Sequence, residues 1–208
     1  MRIGLIADTH MPGSLKDLWP QALEAFQGVD YILHAGDLHT LDIVDELNRI
    51  APIYVAKGNG DLDLIDPRLQ DSWQLELGGV RIAMLHHFPS PVRKSPALLN
   101  AYLQRHLSAA HGPAAPQVVI FGHTHLESTH VIEDVLYVNP GSPTLPRNQS
   151  LRLGTLGILE VTGAGAHRSI TASIHQLTEK GADLHHEVST VTLAVPANVT
   201  LAVPAVEP

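Results

Sequence analysis

Short apolar runs separated by polar, amphipathic stretches set the rhythm of the first sixty residues. Arg2 to Ala7, Tyr31 to His34 and Ile53 to Ala56 are too short for helices and read as buried strands. Between the first two lies Trp19 to Phe26, helical in pattern, with Pro20 in the first turn, where a missing N–H costs nothing. A second helix is expected from about Leu41 to Ile50, with Leu41, Val44 and Leu47 on one stripe and Thr40 as its N-cap. The succession β-α-β-α-β predicts parallel strands joined by crossover helices.

The second half changes character. Trp73 to Leu77 and Val80 to His86 flank Gly78-Gly79, a strong two-residue hairpin signal. Thr129 to Ile132 and Leu136 to Val138 flank Glu133-Asp134, and Thr155 to Val161 and Ser169 to His175 flank Gly163-Ala164-Gly165. Strands joined this way are antiparallel, so the whole is expected to be a mixed α/β domain with two sheets. The polar segment from Phe88 to Gln117, helical near Leu98 to Leu107, reads equally as a lid or as a long connection. From about Thr178 the texture changes again, and Val191 to Ala197 recurs as Val199 to Ala205. A domain is therefore expected over residues 1–177. Residues 178–208 form a Pro-punctuated tail, read as disordered in preference to an edge strand recruited in a homo-oligomer.

Composition narrows the function classes. A net charge of −8 argues against a general nucleic-acid-binding surface. No apolar run is long enough to span a membrane, and the N-terminus reads as a strand rather than a signal peptide. Without cysteine there are no disulfides or thiolate metal sites, and a cytoplasmic location is the expectation. The 14 histidines are the better lead, since imidazole is the commonest metal ligand among side chains.

Four polar clusters each follow an apolar strand: Asp8-Thr9-His10, Gly36-Asp37, Gly58-Asn59 and Gly122-His123-Thr124-His125. Open α/β sheets build their sites beyond the carboxyl ends of strands, so the clusters are expected to converge. Asp8 and His10, at i and i+2, point the same way if the chain stays extended there. Each fragment alone is ordinary, and Asn59-Gly60 reads first as a chain reversal. Order and shared strand-end context carry the weight.

In that order the clusters resemble the calcineurin-like metallophosphoesterases, whose pattern runs D-x-H, G-D, G-N, a lone H and G-H-x-H. The likeness covers about residues 1–177 and looks closest to the small bacterial and archaeal phosphodiesterase branch, through Asn139-Pro140-Gly141-Ser142 and Pro146-Arg147. It implies a four-layer α/β/β/α sandwich with two mixed β-sheets. It also implies a dinuclear centre in which Asp8, His10 and His125 hold one divalent ion and Asn59, His86 and His123 the other, with Asp37 bridging. The family usually has His-Gly where this chain has His86-His87; His86 is preferred as the ligand, and His87 is the alternative. Oxygen and imidazole donors suit Mn²⁺ first, with Fe, Ni²⁺, Co²⁺ or Zn²⁺ as alternatives. A hydroxide shared by two such ions would attack a small-molecule phosphodiester in line and displace the leaving alcohol, with Asp37, Asn59 and His86 as the catalytic core. Asn59, His39 and Arg93 are the candidate substrate contacts.

Many relatives place a proton-donating histidine where this chain has Gly60. Its lack favours diesters with good leaving groups over monoesters. Asp61 either orients a site histidine or merely ends the turn, and His34 either supports the site or packs. The rival function is a non-enzymatic protein-interaction scaffold, the role the same fold plays in the retromer complex, and a phosphomonoesterase is a further alternative.

Overall fold

The computed structural model describes residues 1–107, 115–147, 153–164 and 167–194. Chain order begins β1 (Arg2–Ile6), α1 (Pro20–Ala25), β2 (Tyr31–His34), α2 (Asp42–Asn48), β3 (Ile53–Ala56) and β4 (Leu69–Gln70). It continues with β5 (Ser72–Leu77), β6 (Val80–Leu85), α3 (Pro96–His106), β7 (Val118–Ile120), β8 (Ser128–Ile132) and β9 (Val135–Asn139). The hairpin β10 (Thr155–Thr162), β11 (His167–Thr178) and the final strand β12 (Gly181–Ala194) complete it. Thr40 lies just ahead of α2, and its Oγ1 accepts the Asp42 N–H at 3.3 Å.

Two mixed sheets result. One runs β12-β11-β10-β1-β2-β3-β4 and the other β5-β6-β7-β9-β8. Strands β1 to β4 are mutually parallel, as the β-α-β rhythm predicts, while β10, β11 and β12 add antiparallel. In the second sheet β6, β7 and β9 are parallel and the outer strands antiparallel.

Alternation along each strand explains the layers. Ile3 and Leu5 of β1 face inward, onto Ile82, Met84, Val118 and Ile120 of the facing sheet. Ile6 and Ile32 face outward, where Ala22, Phe26, Val44 and Leu47 cover them from α1, α2 and the turn after α1. On the far side Leu99 and Leu103 of α3 pack on Val119, Phe121 and Tyr137. The result is an α/β/β/α sandwich. The segment expected as a lid or a connection therefore supplies α3 as an outer layer, and its residues 108–114 lie outside the described residues.

Both two-residue hairpins are left-handed turns. Gly78 and Gly79 have φ of 56° and 72°, and Glu133 and Asp134 reach 48° and 62° without being glycine. The last strand corrects the expected boundary. Residue 177 falls inside the β11–β12 hairpin, and β12 pairs along β11 from Gly181 to Ala194. Val191 of β12 is 4% exposed within the core between the sheets, and Ser189 Oγ meets Thr129 Oγ1 of β8 at 2.8 Å. Alternating Val, Thr and Leu suit a strand with one buried face, which outweighs the low-complexity look of the repeat. Residues 195–208, with the repeat's second copy, lie outside the described residues.

Candidate metal centre

The clusters lie just past the carboxyl ends of β1, β2, β3 and β7, and His86 follows β6 in the same way. Their backbones are unusual. Asp8, His10, Asp37, His39, His123 and His125 all have φ between 47° and 72°, a region that side chains rarely adopt outside overdetermined sites. Asp8 and His10 therefore meet through successive left-handed turns, not through an extended segment as their spacing suggested. The turns are held from outside: Asp8 N–H donates to Gly36 O at 2.8 Å, His10 N–H to Asp37 O at 2.9 Å and Met11 N–H to Leu38 O at 2.9 Å.

Asn59 opens a 3₁₀ turn, Asn59–Asp61, instead of a hairpin reversal. No positive φ occurs in it, so the glycines serve close approach: a Cβ on Gly58 would strike Asp37, and one on Gly60 would strike the His39 ring. Asp61 ties the loops together, and among the described residues its carboxylate is bonded to no histidine ring. Its Oδ1 accepts Leu38 N–H at 2.8 Å and His39 N–H at 3.0 Å, and its Oδ2 accepts Gly58 N–H at 2.8 Å. In return Asp37 Oδ1 accepts Gly60 N–H at 2.9 Å.

Within this frame the ring nitrogens converge. His10 Nε2 and His125 Nε2 are 3.1 Å apart, and His86 Nε2 and His123 Nδ1 are 3.2 Å apart. Asp37 Oδ2 lies between the pairs, 3.5 Å from His10 Nε2 and 3.3 Å from His86 Nε2. Asp8 is fully buried; its Oδ1 accepts His123 N–H at 3.0 Å, and its Oδ2 has no hydrogen-bond partner among the described residues. Asp8, His10 and His125 form one group able to hold an ion, and Asp8, Asp37 and His86 another.

Second hydrogen bonds set the tautomers. His86 Nδ1–H donates to Ala35 O at 2.7 Å and His125 Nδ1–H to Leu145 O at 2.7 Å, which turns the Nε2 of each ring inward. His10 Nδ1 meets His39 Nε2 at 3.0 Å. His86 is the member of the His86-His87 pair that faces Asp37. His87 is exposed and turns its Nδ1 to Tyr102 Oη at 2.8 Å.

Electrostatics follow from burial and these partners. Burial pushes the Asp8 carboxyl up to about 7, against the pull of His86. Burial opposes Asp37 ionisation too, but the His86 and Gly60 hydrogen bonds hold it well below the usual carboxylate range. Burial lowers His10 and His123; on His86 the Asp37 and Ala35 hydrogen bonds overcome burial and raise it. Ring nitrogens facing one another at 3.1 and 3.2 Å and a buried, orphaned carboxylate oxygen are costly by themselves, and a cation satisfies them together.

The chain matches the calcineurin-like phosphoesterase superfamily domain over residues 1–164. It belongs to that superfamily. A probable metallophosphoesterase of Methanothermobacter thermautotrophicus is 37% identical over 149 residues, covering 71% of this chain and 80% of the relative. A phosphodiesterase of Methanocaldococcus jannaschii is 27% identical over 157 residues, covering 68% and 83%. Vacuolar protein sorting 29 of Cryptosporidium parvum shares the fold, with a TM-score of 0.70 at 18% identity, covering 92% of this chain and 97% of that one.

Against the superfamily pattern, the structure gathers Asp8, His10, Asp37, His86, His123 and His125, and sets Asn59 beside His86 on one exposed cleft. His39 turns onto His10. Arg93 is exposed on the turn Pro91–Arg93, and no hydrogen bond or ion pair among the described residues joins it to the site. Buried His34 packs between the loops: it accepts Gly36 N–H at Nδ1 (3.1 Å) and donates from Nε2 to Thr9 Oγ1 (3.1 Å).

Support from residues 139–145 was visible only as a branch signature. Asn139 Nδ2 donates to Gly122 O at 3.0 Å, Ser142 Oγ to Asp8 O at 2.7 Å and Thr144 Oγ1 to Thr9 O at 2.7 Å. The loop thus stitches the Asp8 turn to the His123 turn.

Proposed function

We propose that this superfamily member is a phosphodiesterase that works with two divalent metal ions, Mn²⁺ foremost, on a small-molecule substrate. Asp8, His10 and His125 would hold one ion and Asn59, His86 and His123 the other, with Asp37 between them. The observation that carries this reading is the position of Asp37 Oδ2, within 3.5 Å of both His10 Nε2 and His86 Nε2. The buried, unpartnered Asp8 Oδ2 fits the same reading. When bound, such a pair supplies an activated water at neutral pH and offsets charge on the phosphate.

The chain's own residues prepare that chemistry. Ala35 O and Leu145 O fix the tautomers of His86 and His125, and His39 steadies His10. Asn59 is neutral and adds no charge against an anionic ester. All seven ligand positions are filled, which favours catalysis over the scaffold role of the fold.

The diester preference rests on proton donation. Gly60 has no side chain, and the ring above it, His39, commits its Nε2 to His10. A poor leaving group is then without a donor from position 60, a loss of roughly 10²–10⁴ in rate. Purified, Mn²⁺-loaded protein is expected to hydrolyse bis(p-nitrophenyl) phosphate at least about 10²-fold faster than an alkyl monoester such as glycerol 3-phosphate. Comparable turnover of the two contradicts it.

A further inference from the structure

Beside the metal centre opens a cleft of about 400 Å³, within the range of small-molecule sites, with Asn59 and His86 in its lining. Its other walls are this chain's own. Tyr102 and His106 come from the last turns of α3, His87 from the position where the family usually has glycine, and Lys57 from the end of β3. The rings are already ordered against one another. Tyr102 and His106 stack with centroids 4.1 Å apart at 25°, and His87 meets the Tyr102 hydroxyl at 2.8 Å. From behind, Phe88 braces Tyr102 edge-on at 5.4 Å, and Ser72 Oγ donates to His106 O at 3.0 Å. His87 also packs edge-on against the His123 ring at 4.9 Å, so this wall adjoins the metal centre.

We infer that this cleft is a subsite for the aromatic base of a nucleotide-type phosphoester. The inference rests on the phosphoesterase reading for the placement of the phosphate. A phosphoryl group beside His86 and Asn59 would direct one ester substituent along the cleft. The wall there combines the His87, Tyr102 and His106 rings with the aliphatic Leu62 and Leu85 and the Lys57 cation, and the rings and the cation favour a flat heterocycle over an alkyl chain. Asp71 and Ser72 on the same wall offer hydrogen-bond acceptors to a base edge. Preordered rings lose little entropy on binding, so stacking contributes most of its strength.

The test is calorimetric titration of Mn²⁺-loaded protein with adenosine 5′-monophosphate and with ribose 5-phosphate, which differ only in the base. The wild type is expected to bind the nucleotide about tenfold more tightly. His106→Ala, an exposed position, and Tyr102→Leu, which keeps apolar bulk against Phe88, should each bring the ratio of the two affinities close to one. Equal affinities in the wild type, failure of both ligands to bind, or an unchanged ratio in both variants overturns the subsite. The titration needs no turnover, so it fails separately from the catalytic reading. Base-dependent binding without diester hydrolysis would sink the phosphodiesterase and keep the subsite, and the reverse pattern would do the opposite.

Discussion

The His39 imidazole occupies the space above Gly60, where a Cβ would collide with its Cδ2 and Nε2. The same Nε2 meets His10 Nδ1 at 3.0 Å, so the absent side chain at position 60 makes room for the residue that steadies His10. From the sequence, Gly60 marks only a missing proton donor. In the fold the gap is filled by a ring with another task.

This interlock predicts a shared phenotype. Gly60→Ala should push His39 aside, and His39→Ala should remove it, each weakening metal binding by about 10–100-fold. In the double variant the two losses should fall well short of adding, because both break one contact. Metal titrations of the four proteins measure it, and simple additivity would separate the two residues.

Asp61 is buried and accepts three backbone N–H groups from the Asp37 and Asn59 loops. Asp61→Ala leaves those donors unpaired and should cost about 3 kcal/mol in urea unfolding, with weaker metal binding as a companion effect. A change within about 0.5 kcal/mol would show that the loops hold their shape without it.

His34 predicts a pH dependence. Burial depresses its pKa to about 4, and its Nδ1 accepts Gly36 N–H, so it stays neutral in the fold. Between roughly 4 and 6.5 the unfolded chain takes up a proton at this residue that the folded chain refuses. Its stabilisation is thus fully present above about 6.5 and is lost as pH falls toward 4, by up to about 3 kcal/mol. His34→Gln should flatten that fall in urea midpoints measured from pH 7 to pH 5. An unchanged slope would assign it to other groups.

The final strand supplies a fourth expectation. Val191 sits in the core between the sheets, so Val191→Ala should cost about 2 kcal/mol, and truncation after Thr178 should abolish cooperative thermal unfolding. A stable, cooperative fragment 1–178 would show that the strand is an accessory.

Strands β1 to β3 and their site clusters were legible because apolar runs ended abruptly in Asp, His and Asn, and Gly78-Gly79 announced its hairpin. What escaped were relationships that depend on backbone bonds across distant loops. Nothing local reveals that Asp61 accepts from Leu38, or that Asp8 and His10 converge through left-handed turns. His87 read as a departure from the family's His-Gly and as the alternative ligand, and its contact with Tyr102 escaped because fifteen residues separate it from the ring that α3 brings to it. β12 was obscured for another reason: the prolines and the repeat around Val191 outweighed its Val-Thr-Leu alternation.

The central claim is metal-dependent diester hydrolysis at the Asp37 site, and one assay tests it most directly. Chelator-treated protein is assayed on bis(p-nitrophenyl) phosphate before and after Mn²⁺, alongside the double variant Asp37→Asn, His123→Ala. Mn²⁺ should restore turnover in the wild type, and the double variant should fall by at least about 10³-fold. Undiminished turnover in the variant, or none in the wild type with any of Mn²⁺, Fe²⁺, Co²⁺, Ni²⁺ or Zn²⁺, would contradict it.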